Sequence, residues 1–237
     1  MFNTRSEACY ARDGLFTANL DRFRRDPDFQ AAYARGVQAA DGFDPRIEWR
    51  VHVALWAAAR AACLPGDFVE CGVNAGFVSS AIMRRLDWAN RDKTFFLFDT
   101  FSGPVLDQYS DEEARNGRLR IAQDAITSGA YVTDIERIRA NFKEWPNVRI
   151  VPGVVPEILP SAGVERIAFL HLDMNCAYPE RAALEFFWNH LSPGALVLLD
   201  DYAYFGNDSL AESIDAAAKL LRTEVLALPT GQGVILR

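Results

Sequence analysis

The chain is poor in histidine, with three in 237 residues, and it carries no basic block against a formal net charge of −7. It therefore lacks the electrostatic footprint of a nucleic-acid binder or of a protein that docks on anionic membranes. Long apolar runs are missing too. The longest, Val51 to Leu64, is broken by His52 and Arg60 and is too short to span a bilayer. Arg5, Glu7, Arg12 and Asp13 break up the start, so no secretory leader is expected there. The four cysteines, Cys9, Cys63, Cys71 and Cys176, have no metal-ligand spacing, and Cys63 and Cys71 lie in apolar contexts that suit buried free thiols. A reduced, cytoplasmic setting is expected. A dinucleotide fingerprint is absent: G-x-G-x-x-G would need glycines where the chain has Gly72, Asn74 and Phe77. A nicotinamide dehydrogenase is excluded on that spacing. No Ser–His–Asp or Cys–His arrangement has a context that favours nucleophilic catalysis.

What is present is an apolar half, 50% of the residues, enough for the core of one α/β domain with additions. Residues 1–16 are mixed and expected to be partly ordered at best. Helical spacing follows at Leu20–Phe23 and Phe29–Val37, and a second helix opens at Asp44-Pro45, with Ile47, Val51, Leu55, Ala58 and Ala62 on one face. Residues 1–65 are thus expected to form a helical N-terminal extension, a cap or oligomer contact, ahead of a main domain over 66–237. From Phe68 the pattern alternates. Strands are expected at 68–71, 94–98, 148–151, 167–172 and 195–199, and helices at 77–86, 133–145 and 180–191. Ser209 and Glu212 have the spacing of a capping box for a helix to Leu221. Two further strands, 224–228 and 234–236, close the chain. Five βα alternations and a terminal hairpin predict an α/β, doubly wound sheet of seven strands with a reversed terminal strand. The segment from Thr100 to Ser128 is too long for a plain connection and reads as a functional lid.

In such sheets ligands bind beyond the carboxyl ends of the strands. The first strand runs into Gly72 and Gly76, and a helix starts at Phe77, a geometry that aims free backbone N–H groups at a ligand. The remaining strand ends carry Glu70, Asp99, Asp173, Asp200 and Asp201, all acidic. Asp99 is placed either to accept hydrogen bonds from a ribose diol or to close an Asx turn. Asp173 and the Asp200-Asp201 pair end strands that, if neighbours, bring three carboxylates to one spot. Either a hard divalent cation neutralises them, or Asp200 or Asp201 caps the following turn while Asp173 is solvated. His171 and His52 read as packed side chains, and His190 as a ring at a helix C-terminus.

The acidic-x-Gly-x-x-x-Gly pattern at Glu70, Gly72 and Gly76 resembles motif I of class I S-adenosylmethionine (SAM) methyltransferases, with Asn74 at the usual middle glycine. Further along stand Phe98-Asp99-Thr100-Phe101-Ser102-Gly103, Val151-Pro152-Gly153, Leu172-Asp173, Leu191-Ser192-Pro193-Gly194 and Asp200-Asp201-Tyr202. As an ordered set these resemble the macrocin O-methyltransferase (TylF-type) family, whose fold is Rossmann-like. That resemblance implies a cofactor site at Glu70, Gly72, Asn74, Gly76, Asp99, Thr100, Gly153 and Asp173, with Asp99 on the ribose and Gly153 near the adenine. It implies Mg²⁺, or another hard divalent cation, on Asp173, Asp200 and Asp201, and a small hydroxylated acceptor, a sugar or glycosylated metabolite. Asp173 is the candidate catalytic residue. The helical start and the 100–128 segment would cover the acceptor and offer a homodimer contact. Two departures stand out. Asn74-Ala75-Gly76-Phe77 replaces the Trp-Arg-Gly-Gly run of many relatives, and Met174-Asn175-Cys176-Ala177 replaces Gly-Asp-Leu-Tyr. They leave a second reading open: a non-catalytic binding module that keeps the fold.

Overall fold

The computed structural model describes residues 10–237. Residues 1–9, with Cys9, lie outside the described part. Within the segment expected to be partly ordered at best, Tyr10–Arg12 (β1) and Leu15–Thr17 (β2) form a small antiparallel hairpin. Two helices follow. Pro27–Ala39 (α1) has Pro27 in its first turn and Asp26 capping the Asp28 amide. Glu48–Ala61 (α2) begins four residues later than the Asp44-Pro45 signal suggests, because Asp44 is spent on the Tyr33 hydroxyl and the Arg46 amide.

The main sheet has seven strands. They are Asp67–Cys71 (β3), Phe95–Asp99 (β4), Val148–Pro152 (β5), Ile167–Leu172 (β6), Leu191–Leu199 (β7), Leu226–Ala227 (β8) and Gly233–Leu236 (β9). Their order is β5-β4-β3-β6-β7-β9-β8, with β9 antiparallel to both neighbours and the first five parallel. The order reverses between β3 and β6, the place where such sheets open a crevice. Helices Phe77–Leu86 (α3) and Ile135–Phe142 (α6) cover one face with α1 and α2. On that face they enclose Phe68, Phe95, Leu97, Phe169 and Leu198. Helices Ala177–Phe187 (α7) and Asp208–Leu221 (α8) cover the other, over Val69, Phe96, Phe98, Leu170 and Val197. Adjacent residues of one strand thus feed opposite cores, which is why β3, β4 and β6 read as continuous apolar runs.

Three sequence expectations change. The 100–128 segment holds two helices, Asp111–Arg115 (α4) and Arg118–Thr127 (α5). Helix α7 starts at Ala177, three residues early, because the distant carboxylate of Glu113 accepts its first amide at 2.9 Å. Ser209 and Glu212 form no capping box: α8 starts at Asp208 behind Asn207, whose Nδ2 donates to the Asp201 carbonyl, and Ser209 Oγ is buried without a partner.

The strand tips are packed closely. Gly72 has φ +90°, and a Cβ there would lie 1.9 Å from the carbonyl oxygen of Asp173. Gly76 has φ +78°, and its Cβ would meet the Phe142 ring at 2.4 Å. The motif glycines are required by the protein's own backbone and side chains before any ligand is considered. Gly72→Ala is expected to cost about 2–5 kcal/mol, from the left-handed backbone and the overpacking together. A urea unfolding midpoint lowered by that amount checks it, and a stability within 0.5 kcal/mol of wild type (about the spread of neutral surface changes) contradicts it.

Candidate functional site

At the crevice beside β3 lies a cleft of about 800 Å³, open mouth included. Gly72, Asn74, Asp99, Thr100, Gly153 and Asp173 line it, joined by Val105, Gln108, Tyr131, Val132 and Met174. Six of the eight residues expected at the cofactor are therefore on its wall. The other two are not. Gly76 starts α3 and packs against Phe142. Glu70 lies one layer down, 2% exposed, with its Oε1 2.9 Å from Nδ1 of His171.

Asp99 builds the floor of this cleft. Its Oδ2 accepts the amides of Val73 and Asn74 at 2.7 and 2.8 Å, and its Oδ1 accepts the amide of Phe101 at 2.8 Å. Thr100 Oγ1 lies 3.4 Å from that same Oδ1 and bonds the Gly103 carbonyl at 2.6 Å. The carboxylate closes the Asx turn after β4 and, with the same group, ties β4 to the glycine turn after β3. Of the two alternatives for Asp99, the geometry shows the Asx turn, at a residue that also faces the cleft and holds its shape.

Asn74 explains its own presence. It takes the left-handed conformation, φ +47°, that the middle glycine of motif I would take, and asparagine tolerates it better than most residues. Its side chain then does what glycine cannot. Oδ1 accepts the amide of Val132 at 2.9 Å, and Nδ2 donates to the Ala130 carbonyl at 3.3 Å. This two-point clamp fixes Tyr131 and Val132 on the wall opposite the turn.

The acid end of the sheet adjoins the same mouth. Strands β6 and β7 do pair, so Asp173 and Asp200 come together. One ligand atom each from His171, Asp173 and Asp200 lies within 4.8 Å of the other two. Asp201 faces another way. Arg50, from α2, donates to Asp200 Oδ2 at 2.5 Å and to Asp201 Oδ1 at 3.0 Å through Nη1, and to Asp13 of the hairpin through Nε at 2.8 Å. Gln232 Nε2 adds a bond to Asp200 Oδ1 at 2.7 Å. These partners, Arg50 first among the charges, hold the Asp200 carboxyl well below its usual range despite burial. Asp173 has no cationic partner, only the Asn175 Nδ2 at 3.4 Å from its Oδ1. Burial and the charges of Asp200 and Asp201 push its proton affinity well up.

Sequence reasoning missed four members of this site. Arg50 sits in an apolar helical run and carries no motif. Glu180, buried on α7, accepts the amides of Met174 and Asn175 through Oε1, while its Oε2 has no partner. Arg118 of α5 reaches Asn175 Oδ1 at 3.3 Å. His171 reads as a packed strand residue, yet its Nε2 is buried and unpartnered beside the carboxylates.

Two expectations follow. Asn74→Gly keeps the backbone and loses the clamp, at about 1 kcal/mol of local stability, so hydrogen exchange at the Val132 amide should quicken severalfold; an unchanged rate refutes the clamp. Burial, with Asp201 next, pushes the Glu180 carboxyl from 4.5 up to about 8. Between those pH values the folded chain holds a proton that the unfolded chain has lost, so stability falls as pH rises through that window. Glu180→Gln should remove a slope of about 1.4 kcal/mol per pH unit. Urea unfolding from pH 5 to 8 in chelator (roughly the linkage window) reads it, and parallel wild-type and variant curves contradict it.

The comparisons with known proteins agree with this geometry. The family model for macrocin-O-methyltransferase (TylF) matches residues 50–221. The 8-demethyl-8-(2,3-dimethoxy-alpha-L-rhamnosyl)-tetracenomycin-C 4'-O-methyltransferase of Streptomyces olivaceus is 34% identical over 146 residues, which are 59% of this chain and 54% of that one. Mycinamicin III 3''-O-methyltransferase of Micromonospora griseorubida is 29% identical over 150 residues, 59% of this chain and 56% of its own. The chain spans about half the length of the curated relatives it matches. Among solved structures, the O-methyltransferase NovP superposes with a TM-score of 0.65 at 24% identity over 79% of each chain, a likeness of fold. With the matched segment covering most of the chain, from Arg50 through the strand-tip acids, the protein belongs to the macrocin O-methyltransferase (TylF) family.

Proposed function

We propose that the protein is a SAM-dependent O-methyltransferase acting on a hydroxyl of a small sugar or glycosylated metabolite, with a divalent cation assisting. The observation that carries this reading is the shared mouth: the cleft bounded by Gly72, Asn74, Asp99 and Gly153 is closed at its other end by Asp173, beside Asp200. Family membership and the names of the relatives, one a 4'-O-methyltransferase of a rhamnosyl-tetracenomycin and one a mycinamicin III 3''-O-methyltransferase, support it. No described helix is long and apolar enough to cross a membrane.

The donors fit a cation in part. Asp173 and Asp200 converge with His171, whose buried nitrogen lacks a partner, whereas the Asp201 carboxylate is engaged by Arg50. A cation held there would lower the pKa of an acceptor hydroxyl. The rest belongs to the chain. Asp173, which lines the cleft with Asp99, is placed to take the acceptor's proton. Asp99 and the glycine turn set the depth of the cofactor, and the Asn74 clamp with Tyr131 walls it from water. The described part of the N-terminal extension, residues 10–65, serves as the cap: Arg50 and Asp13 bring α2 and the hairpin to the mouth.

A second reading, a non-catalytic cofactor-binding module, is favoured by Arg50, which already neutralises Asp200 and Asp201. Calorimetry with S-adenosylhomocysteine, followed by transfer of labelled methyl to rhamnosylated acceptors, separates the two. Wild type should bind one ligand per chain and transfer methyl, and Asp173→Asn should keep binding while losing transfer about 100-fold or more. Absence of binding by folded wild type overturns both readings; binding without transfer leaves the module.

A further inference from the structure

The cation site contains a nitrogen donor that the strand-end carboxylates alone do not provide. His171 lies on β6, two residues before Asp173, which directly follows the end of the strand. Across β3 its register partner is Glu70. Glu70 Oε1 lies 2.9 Å from His171 Nδ1 and orients the ring. Nε2 is fully buried and has no hydrogen-bond partner. Asp200 Oδ1, at 3.7 Å, is too far for a hydrogen bond and already accepts from Gln232. The carboxylates of Asp200 and Glu70 raise the proton affinity of the ring in the empty site despite its burial, so a cation held at Nε2 would displace a proton from it. The ring forms a group with Asp173 and Asp200 in which one ligand atom from each lies within 4.8 Å of the others. A carboxylate that fixes a histidine through one nitrogen while the other meets a metal is a recurrent arrangement in metal sites.

We infer that His171, oriented by Glu70, is a direct ligand of the cation together with Asp173 and Asp200. One imidazole nitrogen and two carboxylate oxygens suit Mn²⁺, Co²⁺ or Zn²⁺ better than Mg²⁺, which prefers oxygen alone. The role also accounts for Glu70, which lies behind the cleft wall rather than on it. This inference rests on the cation-assisted reading above and sharpens it by naming a ligand and a class of metal.

The test uses untagged, chelator-stripped protein without cofactor, loaded with Mn²⁺ and read by pulsed electron paramagnetic resonance. Wild type should bind one Mn²⁺ at least about tenfold tighter than Mg²⁺ and show coupling to a coordinated ¹⁴N. The coupling should change to the ¹⁵N pattern in protein labelled with ¹⁵N-histidine, a measurement that needs no variant to fold. His171→Gln should lose the nitrogen coupling and narrow the Mn²⁺ preference, with S-adenosylhomocysteine binding retained as the check on its fold. Glu70→Gln should keep the coupling and weaken Mn²⁺ binding about 10–100-fold. One Mn²⁺ bound with no nitrogen coupling overturns the assignment and leaves a carboxylate cation site standing. No cation bound by protein that still binds S-adenosylhomocysteine overturns cation assistance itself, and the methyl-transfer reading survives it.

Discussion

Buried negative charge at the carboxyl end of a parallel sheet must be compensated, and here a guanidinium from outside the sheet does most of it. Arg50 is 7% exposed, lies over the ring of Tyr204 and bonds Asp13, Asp200 and Asp201. A planar fork of donors suits this better than an ammonium, because several carboxylates are satisfied at once without rearrangement. The consequence is architectural. Helix α2, the N-terminal hairpin and the tip of β7 are held in one register by a single side chain, so the cap and the mouth cannot move independently. It is also chemical: Asp200 and Asp201 are paired with Arg50, whereas Asp173, on the cleft wall, is left without a cationic partner and with a raised proton affinity.

The parts of this molecule legible in the sequence are those with a local cause. Strand β6 was readable to the residue, because an apolar run buried on both faces ends abruptly at Asp173. The doubly wound class and the reversed terminal strand followed from the βα alternation and the closing hairpin, and the acidic strand ends from position alone. What stayed hidden depends on partners far along the chain. The start of α7 is set by Glu113, the orientation of Asp201 by Arg50, and the significance of His171 by Glu70 on the neighbouring strand. A histidine inside an apolar strand looks the same in sequence whether its second nitrogen is satisfied or not. The signal that existed was the pairing of Glu70 and His171, each an odd residue in its own strand, and it needed the register to be seen.

The glycine turn shows a related point about motifs. Gly72 and Gly76 are demanded by Asp173 and Phe142, contacts that exist with or without a ligand. The motif's middle position is different, because asparagine holds the left-handed backbone there, at φ +47°. That is where Asn74 was accepted, and its amide now joins the turn to the segment that faces it. A departure from a family pattern at such a position does not weaken the cleft. It transfers to a side chain a closure that other sequences must obtain in another way.

The charge arrangement around the mouth also limits what can enter. Asp173, Glu180, Asp200 and Asp201 crowd one end, countered by Arg50 and, more distantly, by Arg118. Arg50 offsets Asp200 and Asp201, and Glu180 holds its proton up to about pH 8, so the uncompensated charge is smaller than the number of carboxylates. Without a cation at the mouth, what remains favours a cationic or neutral group over an anionic one, because like charges are costly in a low-dielectric setting. A divalent cation on Asp173 and Asp200 would cancel that preference, so these carboxylates set the charge of a ligand only together with the cation they hold.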